Sequence, residues 1–333
     1  MDFRKQQQRK VRSSVRWVSF GLLMLLVLLI GCFPPVKVTP PPADAPAEEL
    51  ALSGASVLIG AGDIALCGST GDDSTAAIVD SVLKADSAAK VEDAVAAIGD
   101  LAYQSGTQRD FQDCWGGSWG DSTRRIMKWV RPALGNHEYV SAGAAPYFSY
   151  FGARGGDPKL GYYAYDLGEW RVVVLNSEIP MNGRFSMSDR TAQEEWLRAD
   201  FKTHPKKCTV AYLHRSLFSS GYHGNQTGML GLYAVMFEGG VDLVLAGHDH
   251  NYERFAPMNP ATMIDTVRGL TQIVVGTGGA DLRGFQTPLA RNSVYTIQGH
   301  HGVVKLTLGA GAWRSAFIDA RGGVWDRSGG TCH

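Results

Sequence analysis

From about Ala55 onward, short apolar runs recur along the chain, and each ends in a small polar cluster. Val57 to Ala61 precedes Gly62-Asp63, Ala94 to Ile98 precedes Gly99-Asp100, and Arg131 to Leu134 precedes Gly135-Asn136. Val172 to Leu175 leads to Asn176-Ser177, Thr209 to Leu213 to His214, and Val241 to Ala246 to Gly247-His248. Runs this short, bounded by glycine and polar residues, predict buried strands in a sheet covered on both faces. Helix-like stretches, Ser74 to Ala85 and Asp189 to Lys202 among them, separate several of the runs. The alternation predicts an α/β layered fold, in which ligands sit at the carboxyl ends of the strands. Every polar cluster falls at such an end. After His250 the pattern changes to strands with few helices (Gln272 to Val275, Val303 to Leu308, Ala312 to Asp319), which predicts a second sheet packing on the first. No linker, repeat or low-complexity block interrupts this stretch, so 55–333 reads as one domain.

The N-terminal region follows a different pattern. Residues 1–32 read as an export signal: a basic stretch (Arg4, Lys5, Arg9, Lys10, Arg12, Arg16), an apolar run from Trp17 to Ile30, then Leu29-Ile30-Gly31-Cys32. The apolar run is short for a membrane span. Its ending resembles a bacterial lipobox, in which Cys32 becomes the lipid-modified first residue of the mature protein. An uncleaved anchor or an ordinary signal peptide is the plainer alternative. Residues 33–54 form a linker in which Pro34, Pro35, Pro40, Pro41, Pro42 and Pro46 favour a stiff, extended spacer. The expectation is an exported bacterial lipoprotein, anchored to a membrane in the periplasm or at the cell surface.

Composition narrows the partners. With 44% apolar and 19% charged residues the chain can bury a sizeable core, and 32 basic residues balance 32 acidic ones. That balance offers no electrostatic argument for a nucleic-acid partner, so an anionic substrate must be met locally, within a site. Oligomeric state is not legible.

The candidate chemistry lies in the polar clusters. Singly, none is persuasive: Gly-Asp after a strand is common, and a lone histidine is usually a structural hydrogen-bonding residue. Their order is what chance does not supply: Asp63, then Asp100 with Tyr103, then Asn136-His137-Glu138, then His214, then His248-Asp249-His250. Carboxylates and imidazoles suit oxygen-preferring to borderline metal ions, and a carboxylate bridges two of them. Asp100, central in the series, is the expected bridge. Glycine before Asp, Asn and His allows a sharp turn and close approach of an ion. His248 and His250 would face opposite ways on a regular strand, so they are expected in a turn, serving different ions.

These five segments resemble the calcineurin-like metallophosphoesterases, and within them the purple acid phosphatase branch. The wider superfamily has Asp-x-His in its first motif; here the segment is Asp63-Ile64-Ala65, and Tyr103 instead completes the Gly-Asp-x-x-Tyr pattern of that branch. The resemblance covers about Ser56 to Leu308. It implies a four-layer sandwich, two mixed β-sheets flanked by helices, with 55–333 as the catalytic domain. It also implies one ion, Fe(III), on Asp63, Asp100, Tyr103 and His250, and a second, Fe, Zn or Mn, on Asp100, Asn136, His214 and His248. The implied activity is hydrolysis of small phosphate monoesters by a metal-bound hydroxide, two ions standing about 3.5 to 4 Å apart. A phosphodiesterase acting on nucleotides or glycerophosphodiesters, and an inactive surface binding module, are the alternatives. His137 is the first candidate for proton donor and His223 the second. Asn136, His137, Arg215 and His223 are the expected substrate contacts, although Arg215 stands where some bacterial relatives carry a second histidine. Asp249 and Glu253 are expected to orient the histidine ligands.

Export changes the reading of the cysteines. With Cys32 set aside, Cys67, Cys114, Cys208 and Cys332 remain, and three pairings are open in a compartment that permits disulfides. Because Cys67 and Cys114 each follow a proposed ligand loop, the favoured pairing is Cys67 with Cys114 and Cys208 with Cys332; four buried free thiols are the alternative.

Overall fold

A computed structural model describes residues 54–333. The predicted export segment with Cys32, and the linker up to residue 53, lie outside the described residues. In chain order the strands are β1 (Ser56–Ala61), β2 (Asp93–Ile98), β3 (Val130–Ala133), β4 (Tyr163–Leu167), β5 (Trp170–Val174), β6 (Cys208–Tyr212) and β7 (Leu243–Ala246). There follow β8 (Tyr252–Phe255), β9 (Thr271–Val275), β10 (Ser293–Ile297), β11 (Gly302–Gly309), β12 (Ala312–Asp319) and β13 (Val324–Thr331). They form a six-stranded sheet ordered β13-β12-β11-β1-β2-β3 and a seven-stranded sheet ordered β10-β8-β9-β7-β6-β5-β4.

Two sheets are present, as the pattern predicts, but not divided as it predicts. The strands after His250 do not make a sheet of their own. β9 lies parallel beside β7, with β8 and β10 beyond it, whereas β11 runs antiparallel against β1 and carries β12 and β13. Apolar alternation reveals which face of a strand is buried. It does not reveal which sheet edge the strand will join.

The layering follows from strand alternation. In β5, Val172 and Val174 face the core shared by the two sheets, while Val173 faces the outer helices; Val210 and Tyr212 against Ala211 repeat this in β6. Helix α1 (Gly71–Ala89) buries Ala76, Val79 and Leu83 in the core that contains the first sheet. Helices α2 (Met187–Thr203) and α3 (Leu230–Glu238) cover the outer face of the second with Leu197, Leu232, Val235 and Met236. Helix α2 begins two residues before the apolar pattern suggests, because Ser186 and Asp189 close a reciprocal capping box at Met187.

Cys67 is joined to Cys114 and Cys208 to Cys332, with Cα separations of 4.7 and 5.3 Å. The first bond ties the loop after β1 to the segment after Tyr103. By chain entropy, closing a loop of 47 residues is worth about 4 kcal/mol.

Candidate metal centre

The two sheets meet at the carboxyl ends of their parallel strands. Gly62 donates its N–H to Val275 O (3.0 Å), and Gly278 donates to Gly62 O (2.9 Å), so the ends of β1 and β9 are stitched together across the sheets. Around that seam stand the loops carrying Asp63, Asp100, Asn136, His214 and His248.

The backbone there is unusual. Asp63, Asp100 and His248 adopt left-handed conformations, with φ of 58°, 50° and 71°. Residues other than glycine hold such angles only where their surroundings over-determine them. Here the Asp63 N–H is held by Gly99 O (3.1 Å), the Asp100 N–H by Glu138 Oε2 (3.0 Å) and the His248 N–H by Asp63 Oδ2 (2.8 Å). The glycines divide their work accordingly. Gly99 turns at φ 74°, whereas Gly135 and Gly247 serve close approach to carboxylates: a Cβ on Gly135 would stand 2.3 Å from Asp100 Oδ1, and one on Gly247 2.5 Å from Asp63 Oδ2.

Three histidines share one orientation. The Nδ1–H of His137 donates to Gln104 O (2.5 Å), that of His214 to Ile98 O (3.0 Å) and that of His250 to Asp281 O (2.6 Å). A carbonyl only accepts, so Nδ1 carries the proton and Nε2 is turned inward. His250 Nε2 lies 3.2 Å from Asp63 Oδ1 and 3.2 Å from the Tyr103 hydroxyl. That hydroxyl is 2.9 Å from Asp63 Oδ1 and 3.3 Å from Asp100 Oδ2. On the other side of Asp100, His214 Nε2 stands 3.1 Å from Oδ2 without hydrogen-bond alignment, and His137 Nε2 stands 3.8 Å away. Asp100, His214 and His248 bring one potential ligand atom each within 4.8 Å of one another. His248 and His250 lie in the turn before β8, and they enter different groups, His248 beside Asp100 and His250 beside Asp63.

These residues fit metal ions. Asn136 Oδ1 and His214 Nε2 are buried without hydrogen-bond partners, a costly state for polar atoms unless something occupies the space between them. The titration behaviour agrees. Burial works against charge on His214, yet the neighbouring Asp100 and Asp63 push it up to about 10. Burial raises Asp63 and Asp100, but His250 and His214 respectively overcome this and hold both carboxyls below the usual range. Burial, then Asp63 and Asp100, drive the Tyr103 phenol well above its ordinary value. A bound cation reverses that balance, replacing imidazolium charge and favouring phenolate.

Glu138 is the organiser that the pattern does not single out. Fully buried, it accepts from the backbone N–H groups of Asp100, Leu101 and Gly135 at 2.7 to 3.0 Å, locking the loops after β2 and β3 together. Asp249 and Glu253, expected to orient histidine ligands, instead hold the Ser219–Gly224 loop. Asp249 accepts from Ser219 Oγ (2.5 Å) and the His223 N–H (2.8 Å), and Glu253 from Ser220 N (2.7 Å) and Oγ (2.5 Å). Their side chains are committed to that loop, and backbone carbonyls orient the rings of His214 and His250.

Arg215 is engaged on both sides, away from the role of a free phosphate clamp. Its Nε donates to Glu178 Oε1 (2.5 Å), and its Nη1 lies 2.8 Å from His248 Nε2. His223 stacks on His248 with ring centroids 4.0 Å apart, and its Nε2 lies 3.1 Å from Arg283 Nη1. Glu178 follows Asn176-Ser177 at the end of β5, a cluster the apolar pattern marks without a role. Nothing local in the sequence points to Arg283. Tyr147 and Phe151 belong to the core, with Phe148, Tyr150 and Tyr163 packed against it, and the Tyr147 and Tyr163 hydroxyls both donate to Pro132 O at 2.9 Å.

A family model described as calcineurin-like phosphoesterase matches residues 58–252, and the chain belongs to that family. It is 30% identical over 181 residues to purple acid phosphatase 21 of Arabidopsis thaliana, covering 48% of this chain and 38% of that protein. It is 26% identical over 243 residues to human acid phosphatase type 7, covering 62% and 52%. The chain thus spans about half the length of such relatives or less. A solved purple acid phosphatase from yellow lupin seeds superposes with a TM-score of 0.68 at 20% identity, over 83% of this chain and 54% of that one. The chain is thus similar to purple acid phosphatases in sequence over part of their length and in fold.

Proposed function

We propose that this protein is a two-metal phosphomonoesterase of the purple acid phosphatase type. The observation that carries this reading is the position of Tyr103, whose hydroxyl joins Asp63, Asp100 and His250 within 3.3 Å. In this reading Asp63, Asp100, Tyr103 and His250 hold ferric iron, and Asp100, Asn136, His214 and His248 hold iron, zinc or manganese. The ions, when bound, supply Lewis acidity at the phosphoryl group and lower the pKa of water.

The remaining steps belong to the chain. His137, anchored through Nδ1 and about a quarter exposed, directs Nε2 to the solvent side of Asp100; as an imidazolium it gives the Nε2 proton to the leaving oxygen and keeps the Nδ1 proton on Gln104 O. Asn136 and His223 contact the substrate. Arg215, its charge countered by Glu178, holds the His248 ring in place. The signal 1–32 and linker 33–54 fit an exported lipoprotein whose lipid sits on Cys32, with the catalytic domain held off a membrane in the periplasm or at the cell surface.

Elemental analysis with an absorption spectrum of the purified protein, and parallel assays of p-nitrophenyl phosphate and bis-p-nitrophenyl phosphate, test the proposal. Two ions per chain, a visible phenolate-to-iron band and preference for the monoester are expected. Diester preference overturns the monoesterase assignment, and zinc or manganese without a band overturns the ferric one. Lipid labelling that survives Cys32→Ala overturns the anchor.

A further inference from the structure

The backbone of Tyr103 is held by the two segments that the Cys67–Cys114 bond joins. The parallel ladder of β1 and β2 runs on past the strand ends. Asp63 N–H donates to Gly99 O (3.1 Å), Ile64 N–H to Asp100 O (2.9 Å) and Ala65 N–H to Leu101 O (3.0 Å), and Tyr103 N–H donates back to Ala65 O (2.8 Å). Cys67 follows two positions after Ala65. Its partner Cys114 lies in a helical turn, Phe111–Trp115, with Sγ 3.8 Å from Tyr103 O. Ala65 therefore holds the Tyr103 amide and Cys114 touches its carbonyl, and the disulfide closes the ring of contacts between them. From that ring projects the phenol that joins Asp63, Asp100 and His250.

The two disulfides differ in access. Cys208 and Cys332 are 1% and 8% exposed, and Cys208 opens β6, at the end of the strand away from the centre. Cys114 is buried as well, in the core with Phe111 and Trp115, but Cys67 is exposed. Exchange begins with a thiolate reaching one sulfur, so access selects both the bond opened and the sulfur attacked. A thiolate arriving from solvent bonds to Cys67 Sγ as the Cys67–Cys114 bond breaks, and the bonding pair leaves on Cys114. The Cys114 thiolate takes a proton from water, with Tyr103 O in place to accept its S–H. When the reagent is a dithiol, its second thiolate displaces Cys67, which is protonated in turn. The dithiol leaves as a cyclic disulfide, oxidised by the two electrons that the protein disulfide gains.

We propose that the Cys67–Cys114 bond is a removable brace that positions Tyr103 at the metal centre, and that a small thiol or dithiol opening it at Cys67 releases the ion held by Tyr103. The inference rests on the two-metal reading above. Tyr103 belongs to one of the two donor sets alone. The other, Asp100, Asn136, His214 and His248, draws both its histidines from loops after β6 and β7, which the bond does not touch. Opening the brace therefore empties one position and leaves the other filled.

The test titrates the full-length wild type with dithiothreitol in the absence of oxygen. At each step free cysteines are alkylated and assigned by mass spectrometry, bound metal is measured after gel filtration, and amide hydrogen exchange is read around Ala65 and Tyr103. The untreated double variant Cys67→Ser, Cys114→Ser separates loss of the bond from chelation by the reagent. Ascorbate, which reduces iron and leaves disulfides intact, separates it from iron reduction. Cys67 and Cys114 should be labelled before Cys208 and Cys332, and about one ion of the two should leave in step with that labelling. Exchange around Ala65 and Tyr103 should rise by about tenfold or more. The double variant should show the single ion and the raised exchange without reductant, and ascorbate should leave exchange unchanged. The proposal is overturned if Cys208 and Cys332 open first, if both ions stay or both leave once Cys67 and Cys114 are free, or if the folded double variant holds both ions. If the double variant does not fold, the wild-type titration decides alone. If the wild type binds no metal, the two-metal reading fails, while the labelling order and the exchange at Tyr103 still decide the brace.

Discussion

The Tyr103 hydroxyl donates to Asp63 Oδ1 at 2.9 Å, joining the loop after β2 to the loop after β1 through one buried phenol. Since burial and two carboxylates keep that phenol protonated, only a strong local cation would make it a ligand. Tyr103→Phe should therefore abolish any visible charge-transfer band of the iron-loaded protein and weaken retention of one ion, with the far-UV circular dichroism unchanged. A band that persists in the variant assigns the colour to another group.

Gly135→Ala tests close approach. The new methyl would meet Asp100 Oδ1 at 2.3 Å and the ring of His214 at 2.9 Å, so Asp100 must move. Overpacking of this kind costs about 1–3 kcal/mol, and the displaced bridge should release metal. Metal analysis of the folded variant checks it; full occupancy with wild-type turnover contradicts the assigned position of Asp100.

Glu138→Gln replaces an acceptor oxygen by an NH2 group facing backbone donors. At least one of the three N–H groups it serves loses its partner, at a cost of about 1–3 kcal/mol. Urea unfolding should register that loss, and activity should fall with it as the loops of Asp100 and Asn136 separate. A variant matching the wild type in both would show that the buried carboxylate organises nothing.

Asp93, at the end of the molecule away from the centre, predicts a pH dependence. Burial, then the adjacent Asp86, push its carboxyl up from 3.8 to about 7. A folded-state value above the unfolded one means that the folded chain binds the proton more tightly. This contribution is therefore complete below 3.8, is lost as pH rises through about 7, and is constant beyond. Asp93→Asn removes the titration, so its melting temperature relative to wild type should rise between pH 4 and pH 8. A difference that stays flat across that window refutes the raised value.

Much of the fold was legible in the sequence because strand ends announce themselves locally: an apolar run of four to six residues, a glycine, then a polar side chain. Asp63, Asp100, Asn136 and His248 follow that rule, and His214 follows its apolar run directly. Tyr103 was legible through its spacing from Asp100 and through Ala65. Arg215 was legible as a residue but not in its engagement, since its partners Glu178 and His248 lie 37 and 33 positions away. Arg283 left no local trace, and Asp249 and Glu253 suggested an orienting role that their hydrogen bonds assign to a loop instead.

The sequence by itself determined the donor types, their order and their placement at strand ends, since these depend on side-chain chemistry and on backbone preferences spanning a few residues. Tertiary structure alone decided which sheet β9 and β11 join and which carboxylate each imidazole meets. It also decided that Asp63, Asp100 and His248 hold left-handed angles that isolated residues of their type avoid. The bond from the His248 N–H to Asp63 Oδ2 crosses 185 positions of chain. Contacts at that range are set by how strands pack and register, and a local pattern of apolar and polar residues carries no record of them.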